Sequence, residues 1–521
     1  MDKWNSVELS FKSSKLYDNP YIDVEIYVDF TSPTGEVKKV LGFWDGEDNW
    51  KVRFSPMHTG QWKWTSYSND LANDGFNNIT GTIDVNQYCG DNAIYKHGFI
   101  KVNENKRGFC HEDETPFFWL GDTIWTMASK VTTDEWEEYL KARKLQDFNV
   151  VLVNALVQHD GCTSNCRIPF MINVDGYDFS RPNIEYFKYL DKLMAMTTDA
   201  GILVALVMLW FDYVPGANPT WNIKRSSTFT PELAYAYSRY LTSRYASYGT
   251  VWIVSGDSDF ESLEAIEVYD AAAKAVIDTT PYSHLITAHL NGGIYTPEKL
   301  NEKGWLDFHS YQSSHIKNGI MKSLEYAEKT REYLPKRPVL NSEPSYEQIA
   351  YYMTEERITR EIVRQVSWIS IIGGANAGIT YGAHGLWSWQ REKEDFRDTK
   401  AWLMPAPWKE ALNFQGAKDV AVIKEFMQEF DWWELEPLKD FPGIYNTDDL
   451  FLSSMNDSRL ILGYLIEAKD IKIDTKVLKR YKIKWFNPIS KEYETAKLET
   501  LGEKSTIKKC SWNNDAVIIF D

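Results

Sequence analysis

Two carboxylates occupy positions from which they could work as a pair. Asp257 closes the apolar run TVWIVSGD (250–257), and Glu343 falls at the end of RPVLNSEP (337–344). Facing carboxylates are what glycoside hydrolysis requires. One protonates the departing oxygen; the other attacks the anomeric carbon or activates water. The acid must keep its proton near neutral pH, which burial or its partner's charge achieves. Taken singly, each acid reads equally well as an N-cap or a salt-bridge partner at the start of the next helix.

A ring of strands would bring the two face to face. Besides these runs, six more of strand length cross the middle of the chain: PFFWLGDT (116–123), NVVLVNAL (149–156), GILVALVMLW (201–210), SHLITAHLN (283–291), WLDFHSYQ (305–312) and GITYGAHGLWSW (378–389). Helical patterns such as TTDEWEEYLKARKLQ lie between most of them, with Thr133 as the expected N-cap. Near-continuous apolar strands are covered on both faces and therefore parallel. Eight such β/α units fit a barrel better than a doubly wound sheet, and no Gly-x-Gly-x-x-Gly turn follows the first strand. The expected fold is α/β, a (β/α)8 TIM barrel at 98–435. It is flanked by an N-terminal β-sandwich (1–97), where YIDVEIYVDF alternates with period two, and a small C-terminal β domain (436–521).

Strands four and seven stand across the ring from each other, so their C-terminal ends, where barrel chemistry takes place, set Asp257 against Glu343. The other strand ends supply a substrate-binding set. Trp125, Trp210, Trp387 and Trp389 are placed to stack on a sugar, and Asp122, Asn154, His309, Tyr311 and Gln312 to bond its hydroxyls. His159, His289, Tyr381 and His384 belong to the same rim, and Glu347, four residues past Glu343, would reach a further hydroxyl. Six of the nine histidines fall between the first and the last of the eight runs, five of them at or just past a strand end.

Composition agrees with a neutral sugar as ligand. The 521 residues include 21 Trp, 30 Tyr and 25 Phe, and the net charge is −17. That balance repels phosphate and anionic lipid, which excludes nucleic acid and membrane surfaces as partners. No run is long enough to span a membrane. The start, MDKWNSVELSF, holds no apolar stretch of signal-peptide length, so a cytoplasmic location is expected, or secretion if a leader preceded it. No metal and no cofactor are expected, because strand one ends in GDTIW without the His-x-His of a metal-dependent hydrolase. Cys162 and Cys166, four apart, are read as free thiols, ahead of a loop disulfide or a zinc pair. A homo-oligomer is left open, with the aromatic N-terminal region as its interface.

The middle of the chain resembles the apiosidase-like family of glycoside hydrolases, related to clan A. FFWLGDTIW (117–125), WIVSGD (252–257), FHSYQSSH (308–315), RPVLNSEPSYE (337–347) and TYGAHGLWSW (380–389) carry the likeness. WNSVELSF and VRFSPMHTGQWKW resemble the β-sandwich that precedes that barrel. The resemblance implies Asp257 as acid/base, with Asp259 a nearby rival, Glu343 as nucleophile, and retention of configuration. It also implies a terminal sugar, apiose or another pentose or furanose, released from plant-derived oligosaccharides or glycosides. The loop QHDGCTSNCRIPF departs from the family pattern. The competing expectation is a carbohydrate-binding protein that keeps the barrel without catalysis.

Overall fold

The computed structural model describes every residue except 159–165, 218–226, 393–395, 440, 442, 446–448 and 456–457. His159 and Cys162 therefore lie outside the described residues.

Eight parallel strands form the centre: β1 (Trp119–Thr123), β2 (Val150–Asn154), β3 (Leu203–Trp210), β4 (Val251–Gly256), β5 (Ile286–Thr287), β6 (His309–Gln312), β7 (Val339–Glu343) and β8 (Gly378–Tyr381). Their order is β5-β4-β3-β2-β1-β8-β7-β6, a barrel interrupted along one seam. Across that seam the Asp307 N–H donates to the Ile286 carbonyl at 2.9 Å, and the Thr287 hydroxyl to the Phe308 carbonyl at 2.7 Å. The ring is nearly closed. Every residue of β3, LVALVMLW, is buried, as strands covered on both faces must be.

The principal outer helices are α1 (Thr133–Leu145), α2 (Ile184–Asp199), α3 (Pro231–Tyr245), α4 (Leu263–Thr279), α5 (Glu298–Asn301), α6 (Gly319–Arg331), α7 (Arg360–Ile372) and α8 (Gly416–Met427). The cap of α1 is Thr132 rather than the expected Thr133. The Thr132 hydroxyl accepts from the Glu135 N–H, and the Glu135 carboxylate accepts from the Thr132 N–H. This reciprocal box needs the acid three residues on, a spacing that only Thr132 has. The last strand also stops earlier than expected. It ends at Tyr381, and Gly385 then takes φ +113°, where a Cβ would lie 2.0 Å from the Ala406 carbonyl oxygen. The turn swings Trp387 over the barrel mouth.

The N-terminal region is two antiparallel sheets. One runs Val37–Leu41, Ile26–Thr31, Gly60–Ser68, Thr80–Val85; the other runs Val7–Lys12, Asn49–Phe54, Phe43–Trp44. Phe30, Val52, Phe54 and Trp62 fill the space between them. After the barrel, a six-stranded and a four-stranded antiparallel sheet enclose a second small core around Trp485, Ile473 and Ile518. Both regions are keyed to the barrel by buried ions. Asp191 on α2 accepts from Arg53 of the N-terminal sheet at 2.6 Å and from Arg244 on α3 at 2.6 Å, and Arg244 also reaches Asp45 at 2.7 Å. On the far side, Arg364 of α7 bridges Asp419 (2.6 Å) and Asp515 of the C-terminal sheet (2.7 Å). Cys166 is disulfide-bonded, against the expected free thiol. Among the described residues no helix is long and apolar enough to cross a membrane.

Candidate active site

Asp257 is the first residue beyond β4 and Glu343 the last of β7; each is 8% exposed. Two local features aim them at the barrel mouth. Gly256 lets β4 pass the ring of Trp210, which a Cβ would meet at 2.1 Å. Asp257 itself takes φ +50°, a left-handed turn that short polar side chains tolerate better than most. On the other side, the β6–β7 pairing shifts register between Tyr311 and Gln312, which sets Gln312 opposite Glu343.

One imidazole stands between the carboxylates. His289 Nε2 lies 3.5 Å from Asp257 Oδ1 and 3.3 Å from Glu343 Oε2. Those oxygens can be no farther apart than the two spans laid end to end, which is near the bottom of the range of about 6.5–9.5 Å that inverting enzymes use. Each acid has further partners. The Tyr346 hydroxyl donates to Glu343 Oε2 at 2.7 Å, and His315 Nε2 lies 3.3 Å from Oε1. The Gln312 amide donates to Asp257 Oδ1 at 3.1 Å.

These partners separate the two acids electrostatically. Burial works to raise the Glu343 pKa, but bonds to His289 and His315 overcome it and hold the carboxyl at about 2. Burial raises Asp257 above the usual carboxylate range, and the Glu343 charge adds to the rise, although His289 and Gln312 oppose it. Burial would also strip His289 of its proton, yet the two carboxylates push its pKa up to about 9. An ionised nucleophile beside a proton-holding acid is the division of labour that two-carboxylate hydrolysis needs.

A cavity of about 250 Å³ opens over the pair, and its walls include Trp125, Gln158, Gln312, His315, Trp387 and Trp402. Of the residues expected from sequence, the cavity thus gathers Asp257, Glu343, Trp125, Gln312 and Trp387. Trp210 is fully buried behind it, 5.4 Å from the Trp125 ring and 6.4 Å from His289. Sequence reasoning passed over His315, Tyr346 and Trp402. The first two stand in motifs already singled out, three residues past Gln312 and Glu343; Trp402 ends a short helix, Thr399–Trp402, with no strand-end signal.

The remaining candidates are elsewhere. Asp122 is fully buried and paired with Arg143 of α1 at 2.6 Å, with Tyr139 donating to the same oxygen. Tyr381 donates to Glu347 at 2.6 Å, and the Gly416 N–H donates to that carboxylate too, so this pair braces α8. Tyr311 turns outward to the Ser323 carbonyl of α6. His309 opens β6 at the opposite end of the barrel, and burial among Arg337 and Arg107 pushes its pKa down to about 3. Trp389 stacks on Trp408 at 4.6 Å and donates to Glu135. Asn154 is buried at the end of β2, where its carbonyl accepts from the Leu156 N–H. His384 accepts from the Trp387 indole at 3.2 Å while its other nitrogen lies 2.9 Å from the Leu403 carbonyl, so it supports Trp387 from behind the cavity.

The geometry agrees with what the chain is similar to. Residues 103–434 match the model of the apiosidase-like catalytic domain, and residues 1–69 match a domain of unknown function, DUF5060. No curated protein matches the chain in sequence. A glycoside hydrolase family 5 protein from Bacteroides vulgatus ATCC 8482 superposes with a TM-score of 0.64 at 22% identity, covering 82% of this chain and 93% of its own. A second protein from that organism, provisionally designated a glycoside hydrolase, superposes over 100% of this chain and 99% of its own, with TM-score 0.74 and 20% identity. These structural likenesses carry the fold, whereas the family match spans more than half of the chain. The chain is a glycosidase acting on carbohydrate, and it belongs to the apiosidase-like family.

Proposed function

We propose that the enzyme is a retaining, exo-acting glycoside hydrolase in which Asp257 is the acid/base and Glu343 the nucleophile. The observation that carries the pairing of the two acids is the single His289 nitrogen within 3.5 Å of both carboxylates; retention is what the family likeness implies. In the first step a Glu343 oxygen bonds to the anomeric carbon. The bond to the departing oxygen breaks, and that oxygen leaves with its electron pair and the Asp257 proton. In the second step Asp257 takes a proton from water, the water oxygen attacks the anomeric carbon, and the ester electrons return to Glu343. Trp125 and Trp387 flank the sugar, and Gln312 holds the acid in line.

The cavity of about 250 Å³ is smaller than the roughly 300–1,000 Å³ typical of drug-sized ligand sites. That size favours one terminal unit over an extended chain. Apiose or another pentose or furanose at the end of a plant-derived glycoside is the substrate class proposed. The test is a screen of aryl pentosides, furanosides and disaccharides with wild type and Glu343→Gln. Wild-type turnover with a loss of at least 10³-fold in the folded variant supports the assignment; equal turnover by the two overturns it.

A further inference from the structure

His289 was expected to bind substrate, but it is fully buried and absent from the cavity wall. Its surroundings give it a different task. Its Nε2 faces both carboxylates at nearly equal spans, 3.5 and 3.3 Å. Its Nδ1 lies 3.3 Å from the Ser342 hydroxyl, whose own proton goes to the Tyr311 carbonyl at 3.2 Å. Ser342 is therefore an acceptor toward the ring. Gln312 approaches Nε2 at 3.2 Å, but its two amide protons are directed to Asp257 Oδ1 and the Leu290 carbonyl. Both ring nitrogens thus face acceptors, which is the environment of an imidazolium.

The ring is also fixed. Trp125 lies across it at 5.0 Å and Trp210 lies nearly parallel at 6.4 Å. The His289 N–H donates to the Ser255 carbonyl at 3.0 Å, and the Ser255 hydroxyl donates to the His289 carbonyl at 3.1 Å, which ties it to β4.

We infer that His289 is a positioning residue, a fixed cation that neutralises whichever of the two carboxylates carries the negative charge at each stage of the cycle. This rests on the retaining reading above. Before reaction Glu343 is charged and Asp257 protonated. In the glycosyl-enzyme the Glu343 charge is consumed in the ester, and Asp257, having given up its proton, is charged instead. One unit of negative charge has moved across the imidazole. A cation almost equidistant from both oxygens serves both stages without moving an atom, so the site stays preorganised. A buried carboxylate without such a partner is costly. The groups facing His289 are Asp257 from the end of β4, Glu343 and Ser342 from β7, and Gln312 from β6. His315 and Tyr346 act on it only through Glu343.

The experiment uses the full chain and an aryl glycoside that wild type hydrolyses, with kcat/KM followed against pH and the two steps separated by single-turnover kinetics. In His289→Gln the acid limb, set by Glu343, should rise by at least one pH unit, and both steps should slow by 10²-fold or more. A residue that only packs would lower the rate evenly and leave the limbs in place; limbs superimposed on wild type overturn the inference. Ser342→Ala, which removes the acceptor at Nδ1 together with the bonds of that hydroxyl to the Tyr311 carbonyl and the Ser310 hydroxyl, covers the case of a misfolded His289 variant. Its acid limb should shift in the same direction by less, and an unshifted limb in that folded protein is equally fatal. Glu343→Gln run alongside separates the two claims. If it retains turnover, the retaining assignment fails. If it is inactive while the limbs stay fixed in the other variants, only the role of His289 falls.

Discussion

Glu343 and Asp257 are chemically alike and equally buried, and their neighbours alone assign them different tasks. Two imidazoles and a phenol converge on Glu343, whereas Asp257 shares the His289 imidazole and accepts from the Gln312 amide. The pH dependence should show this. With Glu343 held at about 2, the acid limb of kcat/KM should lie near that value, below the usual carboxylate range. The descending limb belongs to the Asp257 proton, whose pKa is raised, so it should lie above the usual carboxylate range; an enzyme inactive by pH 5 would contradict this. Tyr346→Phe should cut kcat by about 10–10²-fold with little change in KM, the loss of about 1.5–3 kcal/mol for a hydrogen bond to a charged group. Asp257 and Glu343 were legible in sequence because each closes an apolar strand. Tyr346 and His315 were not, because each acts from a loop residue beyond the strand, where direction depends on how the chain turns.

The barrel strands could be read almost one for one, since each is a buried apolar run bounded by turns. What the runs do not state is which way each strand-end side chain points. Successive residues of a strand face opposite sides, so of the neighbours Tyr311 and Gln312 only one can reach the mouth. The irregular register between them gives that place to Gln312. Asp122 reads like Asp257, the acid after a glycine at a strand end, yet it turns to Arg143 between sheet and helix. Glycine is the one strand-end residue whose role is steric. Gly256→Ala would drive a methyl into the Trp210 ring and, through it, displace His289. Overpacking of this kind costs about 1–3 kcal/mol. We expect a lowered Tm together with a loss of activity of tenfold or more, measured by thermal melts and initial rates. An unchanged melt with full activity would show that the β4 end is not so constrained.

At the scale of the molecule, the aromatic excess is mostly packing. Trp62, Trp136, Trp252, Trp368 and Trp485 are fully buried in sheets and helix contacts away from the cavity. The outer sheets hold the barrel through charge networks that sequence pattern cannot reveal, since Arg53, Asp191 and Arg244 are far apart in the chain. Asp191→Ala would leave Arg53 and Arg244 short of their shared partner, at a cost of about 3–5 kcal/mol. Urea unfolding should register the loss. The partnered Asp191 carboxyl is lowered by Arg244 and Arg53 against its burial. Its contribution is therefore present above the unfolded carboxylate pKa and lost as pH falls through the folded value. His289 has the opposite sign: its share of stability is complete below the ordinary 6.5 and lost as pH rises through about 9. The most direct test of the whole account is to trap the enzyme with a slow, activated 2-fluoro derivative of its substrate and map the modified peptide by mass spectrometry. The glycosyl group should be found as an ester on Glu343. A label on any other residue, or steady turnover with no covalent species and an inverted product, would contradict it.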